Sequence, residues 1–145
     1  VWEIIKIKDI MTRDVITVDK DTSILDTAKL MEEKNISSVI VAEGGMPVGI
    51  VTERDLVRKV IIKDLDAKSP VSTIMSSPLV TVSKEENISS AAELMMKKKI
   101  RRLPVVDKGK LMGIVTETNI STTSPKAISE FSQTIDKIDK ILKDL

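Results

Sequence analysis

Thr52 and Asp55, three residues apart, and their counterparts Thr116 and Asn119 are the side chains in this sequence best spaced for chemistry. A hydroxyl and a carboxylate at that spacing, where a helix begins, form a capping box in which each satisfies an unpaired amide. The same geometry suits a ligand. A helix start offers free N–H groups and a partial positive charge, and a carboxylate three residues in can accept two hydroxyls at once, as a ribose diol presents them. The two readings are compatible at one strand-to-helix junction. A second group is Arg101 and Arg102, which follow the run Lys97-Lys98-Lys99. The lysines suit a helix C-terminus, where cations complement the dipole. The arginines come after that helix and before the strand Leu103 to Val106, aimed towards a sheet edge.

These groups close a repeated unit. Gly49-Ile50-Val51-Thr52-Glu53 recurs sixty-four residues on as Gly113-Ile114-Val115-Thr116-Glu117, and the same ungapped shift pairs Ile10-Met11 with Ile74-Met75, Thr17-Val18 with Thr81-Val82, Leu30-Met31 with Leu94-Met95 and Ile36 with Ile100. From residue 10 to residue 53, eighteen of forty-four pairs are identical. Chance gives about two or three, so the chain carries two copies of a unit of about sixty residues.

Each copy reads the same way. Val15 to Val18 is a β-type run. Asp19, Asp21, Thr22 and Ser23 supply caps for a helix with apolar positions Ile24, Leu25, Ala28 and Met31, ending near Asn35. Val39 to Val41 and Val48 to Val51 form a hairpin across Gly44-Gly45. A helix then runs from Glu53 to about Ile62, with Leu56, Val57, Val60 and Ile61 as its apolar positions. In the second copy, Ser83-x-x-Glu86 is a capping box for a helix from about Glu86 to Lys98 that buries Ile88, Ala92, Leu94 and Met95. Met31, Met95 and Met96, at helical spacing, read as core filler. Beyond Asn119 the repeat fades. Ser124-Pro125 starts a tail helix with Ile128, Phe131, Ile135, Ile138 and Leu142 on one stripe, which must cover something, in its own chain or across a dimer.

Composition narrows the function classes. The 145 residues are 41% apolar and 31% charged, a soluble globular mixture, with no apolar run near a membrane span and no visible signal peptide. Valine at the first position suggests an excised or trimmed chain. Cysteine and histidine are both absent, which removes disulfides, thiol chemistry, imidazole catalysis and the usual zinc ligands, and is compatible with the cytoplasm. With 23 basic against 22 acidic residues there is no global field to draw nucleic acid, and Trp2 and Phe131 are the only aromatics, too few for a base-stacking platform. No carboxylate pair is marked out for magnesium or for glycoside hydrolysis. No metal, cofactor or enzymatic activity is expected.

A β-α-β-β-α unit that occurs twice, opens with Ile-Met and closes with Gly-Ile-Val-Thr-x-x-Asp resembles the CBS domain, which occurs in tandem as a CBS pair or Bateman module. The likeness covers roughly residues 7 to 120. It implies an α/β (α+β) fold of two repeats, over 7–64 and 71–120, related by a pseudo-twofold axis with a ligand cleft on either side; the amphipathic tail helix, 124–143, lies outside the likeness. By this resemblance the first cleft places Thr52 and Asp55 on a ribose. The base slot is formed by Ile16, Ile36, Ser37, Ser38 and Ile50, with Met11 close by, and Arg101 and Arg102 reach the phosphate. The second, weaker cleft has Thr116, Asn119, Val80, Ile100 and Ile114, with Asn119 where the pattern has Asp and the uncharged Ser37 and Ser38 facing its phosphate position.

The expected function is therefore a non-enzymatic, cytoplasmic sensor that binds AMP, ADP, ATP, S-adenosylmethionine or methylthioadenosine, forms a homodimer, and reports the ligand through dimer geometry or a regulated partner protein. Its rivals are a structural dimerisation module with empty clefts, and nucleic-acid binding through Lys97 to Arg102 with steep salt dependence.

Overall fold

The computed structural model describes residues 5–123, 133 and 136–144. In chain order the elements are α1 (Ile7–Ile10), β1 (Thr17–Asp19), α2 (Ile24–Lys34), β2 (Ser38–Glu43), β3 (Met46–Thr52), α3 (Glu53–Asp55), α4 (Ile88–Lys98), β4 (Arg102–Asp107), β5 (Lys110–Thr116) and α5 (Glu117–Ser121). They gather into two compact units, one of Val15–Val80 and one composed of Val1–Asp14 with Thr81–Leu145. The fold is α/β, built of two β-α-β-β-α-like repeats, and residues 136–143 form a C-terminal helical stretch.

In the Val15–Val80 unit, β1 lies parallel to β2 and β2 antiparallel to β3. A parallel neighbour requires a crossover, which α2 supplies, while the tight Gly44-Gly45 turn suffices for the antiparallel pair. Ser23 caps α2, its Oγ accepting from the Asp26 amide at 3.0 Å. The next two amides, of Ile24 and Leu25, donate to the carbonyls of Ser69 and Ala67. Asn35 ends the helix in the left-handed region at φ 53°, a conformation asparagine tolerates. The core joins Val18, Ile24, Met31, Val39, Val41 and Val51 with Val71 and Ile74, which arrive after the third strand and its helix.

The composite unit repeats this with the sixty-four-residue shift intact. Every partner in the β4–β5 register is the β2–β3 partner plus sixty-four, down to the irregularity after Val41 and after Val105. The first strand of this copy is reduced to a single parallel bridge, Val82 to Val105. Asn87 caps α4, accepting from the Ser90 amide at 3.0 Å, and Lys99 closes it at φ 57°.

The segment preceding each repeat's first strand is the unexpected feature. Ser76 bridges Ile50 within the Val15–Val80 unit, and its repeat mate Thr12 bridges Ile114 within the composite unit. Val71 and its mate Ile7 are each fully buried there. Each unit thus completes itself with the lead-in segment of the other repeat.

Several local expectations are corrected. Ser83 and Glu86 do bond, the Ser83 amide donating to Glu86 Oε2 at 2.8 Å, but they form a turn; the helix waits for Asn87, whose extended backbone and side-chain carbonyl make the actual cap. The helix after Thr52 widens from α into a π-helix over Leu56–Ile61. Of its four apolar positions only Leu56 and Val60 pack on the core, whereas Val57 and Ile61 are exposed. Leu25 is exposed as well. In the tail, Ser124-Pro125, Ile128, Phe131 and Ile135 lie outside the described residues, as does Trp2. Ile138 is half-buried and Leu142 exposed.

Candidate ligand site

The end of β3 and the helix that follows form the capping box expected from Thr52 and Asp55. Thr52 has extended backbone, φ −119° and ψ 164°. Its Oγ1 accepts from the Asp55 amide at 3.2 Å, while Asp55 Oδ2 accepts from the Thr52 amide at 2.9 Å and from the Thr52 hydroxyl at 3.1 Å. The Glu53 amide donates to the Ser37 carbonyl at 3.0 Å. The helix start therefore offers fewer free N–H groups than the sequence suggested, because the box and Ser37 use the amides of Glu53 and Asp55. What the box leaves for a ligand is the acceptor capacity of the carboxylate. Asp55 Oδ1 faces Lys59 Nζ at 3.2 Å, and the Asp55 side chain is 14% exposed.

Strand directions bring the other first-site candidates of this unit together. β1 and β2 begin, and the antiparallel β3 ends, at one edge of the sheet. There Ser38 stands opposite Thr52 in register, Ile50 opposite Ile40, and the Ile40 amide donates to the Ile16 carbonyl. Ile16, Ile36, Ser37, Ser38 and Ile50 are all half-buried, so apolar side chains and two hydroxyls border the box. The side chain seated against Gly49, three residues before Thr52, belongs to Met75. Met11, its repeat mate, is seated against Gly113 in the composite unit.

The second box is nearly superimposable in its bonding. Thr116 Oγ1 accepts from the Asn119 amide at 3.1 Å, and Asn119 Oδ1 accepts from the Thr116 amide and hydroxyl, both at 2.9 Å. The Glu117 amide donates to the Arg101 carbonyl at 3.0 Å. Arg102 opens β4 opposite Thr116 in register. The largely exposed Arg101 side chain pairs with Glu117 at 3.6 Å. Ile100 and Ile114 are half-buried in this unit, and Val80 is the last residue of the other.

Lys59 and Met75 were not anticipated. Lys59 had a signal, since a lysine four residues after an aspartate shares its helix face. Met75 had none beyond its repeat partnership with Met11. Among the described residues no group of three or more His, Cys, Asp or Glu side chains could hold a metal ion. No described helix is long and apolar enough to cross a membrane.

Comparison with known proteins agrees with this architecture. A family model described as CBS domain matches residues 7–62 and 71–125. The CBS domain-containing protein YhcV of Bacillus subtilis is 38% identical over 109 residues, covering 75% of this chain and 78% of YhcV. The CBS domain pair of protein MJ0100, solved in complex with 5-methylthioadenosine and S-adenosyl-L-methionine, superimposes with a TM-score of 0.74 at 32% identity, over 81% of this chain and 94% of that one. The AMP-complexed CBS domain protein PAE2072 of Pyrobaculum aerophilum gives a TM-score of 0.79 at 23% identity, over 89% and 99% of the two chains, a likeness of fold.

Proposed function

Because this chain belongs to the CBS domain family and carries two CBS domains in tandem, we propose that it is a non-enzymatic sensor of an adenosine compound, with Thr52 and Asp55 at its principal site. The observation that carries this reading is the contrast between the two boxes. Asn119 performs the capping as fully as Asp55 does, so capping does not call for the charge on Asp55 or for its second oxygen. A carboxylate oxygen beyond the needs of the cap is the group that a ribose diol would use. The MJ0100 pair, with methylthioadenosine and S-adenosylmethionine bound, supports the ligand class. A second copy of the chain is the proposed partner of the exposed row Val57, Ile61, Ile62 and Leu65.

Calorimetry against AMP, ADP, ATP, S-adenosylmethionine, methylthioadenosine and NAD tests the proposal, with light scattering on the same samples. Asp55→Ala removes the tighter site for every ligand, and Asn119→Ala leaves it nearly intact. AMP binding that survives Asp55→Ala and is lost in Asn119→Ala would mean that the boxes have been assigned the wrong way round. No heat with any compound would leave a structural module, and a monomer at tens of micromolar would remove the dimer.

A further inference from the structure

We propose that Lys59 is the charge-selecting residue of the first site: it cancels the negative charge of Asp55 beside the ligand, so that an adenosine compound bearing a phosphate is accepted there. This inference rests on the reading of Thr52 and Asp55 as a ribose site and names what that site admits.

Lys59 is held at two points. Its Nζ lies 3.2 Å from Asp55 Oδ1 and donates to the carbonyl of Ile74 at 3.0 Å. An ammonium has three N–H donors, so one more remains for a ligand oxygen. The π-helical stretch that carries Lys59 begins directly after Asp55, and such widened turns often accompany functional sites. An i,i+4 pair on an ordinary helix surface would need no further explanation, but two features set this one apart. The carbonyl of Ile74 holds the ammonium beside the box at a second point, although the lysine side chain is 38% exposed. The repeat mates of Asp55 and Lys59 are Asn119 and Thr123, so where the negative charge is absent the positive one is absent too. Thr123 turns its hydroxyl to the Asn119 carbonyl at 2.6 Å. Both boxes therefore sum to zero charge by different means.

The consequence is electrostatic. A carboxylate that binds the diol lies within one sugar ring of a phosphate on the 5′ carbon. Uncompensated, it would repel that phosphate and weaken a nucleotide about fivefold relative to the nucleoside. With Lys59 in place the diol keeps a charged acceptor and the phosphate meets no net negative field.

The test compares adenosine and AMP by calorimetry on the full chain, with the ratio of their affinities as the readout. Lys59→Met is expected to lower the AMP-to-adenosine ratio about fivefold, with Lys59→Gln as a second uncharged variant should Met impair folding, while Lys59→Arg keeps the ratio. The decisive variant is Asp55→Asn/Lys59→Met, which imitates the uncharged second box. It binds both compounds more weakly than wild type yet restores their ratio, because the charge that needed cancelling is gone. Equal loss of adenosine and AMP in Lys59→Met and Lys59→Gln would reduce Lys59 to a tether for Ile74 and overturn the proposal. So would a double variant whose ratio stays low. If the wild type binds neither compound, the ribose reading itself fails and this inference falls with it.

Discussion

At the residue scale, the two boxes separate what a side chain does for the fold from what it offers a ligand. A single oxygen completes the cap, Oδ2 in Asp55 and Oδ1 in Asn119, with bond lengths alike to within 0.2 Å. Capping energetics are therefore nearly blind to the choice between Asp and Asn. Asp55→Asn is expected to cost about 0.5–1 kcal/mol, from the weaker attraction to the helix dipole and the lost ion pair with Lys59. Asp55→Ala loses the reciprocal bonds and is expected to cost about 1.5 kcal/mol. Urea melts of the two variants check this, and equal losses would show that the carboxylate does more for folding than cap the helix.

At the element scale, the strands are held by close approaches that only glycine permits. A methyl group on Gly113 would lie 2.6 Å from the Thr12 carbonyl, which is itself fixed by accepting from the Ile114 amide at 2.9 Å. At Gly49 the obstacle is the Met75 side chain, whose sulfur and Cγ can rotate away while its Cβ, 3.0 Å off, has only to give by a few tenths of an ångström. Gly113→Ala is expected to cost about 2 kcal/mol and Gly49→Ala less than about 1 kcal/mol. Thermal melts giving the opposite order would contradict the role assigned to the Thr12 carbonyl. The turn before α4 shows a weaker tie. Glu85 bonds Lys6 Nζ and Lys8 Nζ, both at 3.1 Å, and these two lysines hold its carboxyl below the usual glutamate range. A carboxyl depressed in the folded state adds stability above its unfolded pKa and loses it as pH falls through the folded one. Glu85→Gln is thus expected to melt slightly lower than wild type at neutral pH and identically in strong acid, with the neutral difference shrinking in high salt. A gap that persisted in strong acid would deny the ion pairs any part in it.

At the scale of the whole molecule, the repeat unit and the compact unit are different objects. The sequence repeats with one phase, and the chain packs with another, because Val71 and Ile74 enter the core of the Val15–Val80 unit while Ile7 and Met11 are buried in the composite one. Burying such side chains is worth roughly 1.5–3 kcal/mol each, a large part of the stability of a small unit. A fragment spanning residues 15–80 is therefore expected to fold, with a cooperative melt by circular dichroism. A fragment spanning 7–64, cut at the phase of the repeat, should not. Folding of the second fragment and failure of the first would refute the exchange of lead-in segments.

The sequence by itself determined the duplication, the order of elements within each copy, the glycine hairpin of the first and the strand-to-helix boxes. All of these follow from local patterns: periodicity, caps and turns act within a few residues, and the sixty-four-residue shift copies them without loss. The residues grouped around Thr52 were legible for the same reason, since strand ends bring Ile16, Ser38 and Thr52 to one edge of the sheet. The tertiary structure alone decided which lead-in segment completes which unit, that Met75 seats against Gly49, that the helix after Asp55 turns Val57 and Ile61 outward, and that Lys59 reaches Ile74. Each of these depends on where a segment more than a few residues away comes to rest, or on one hydrogen bond lengthened by a single residue, and neither leaves a mark in a local pattern.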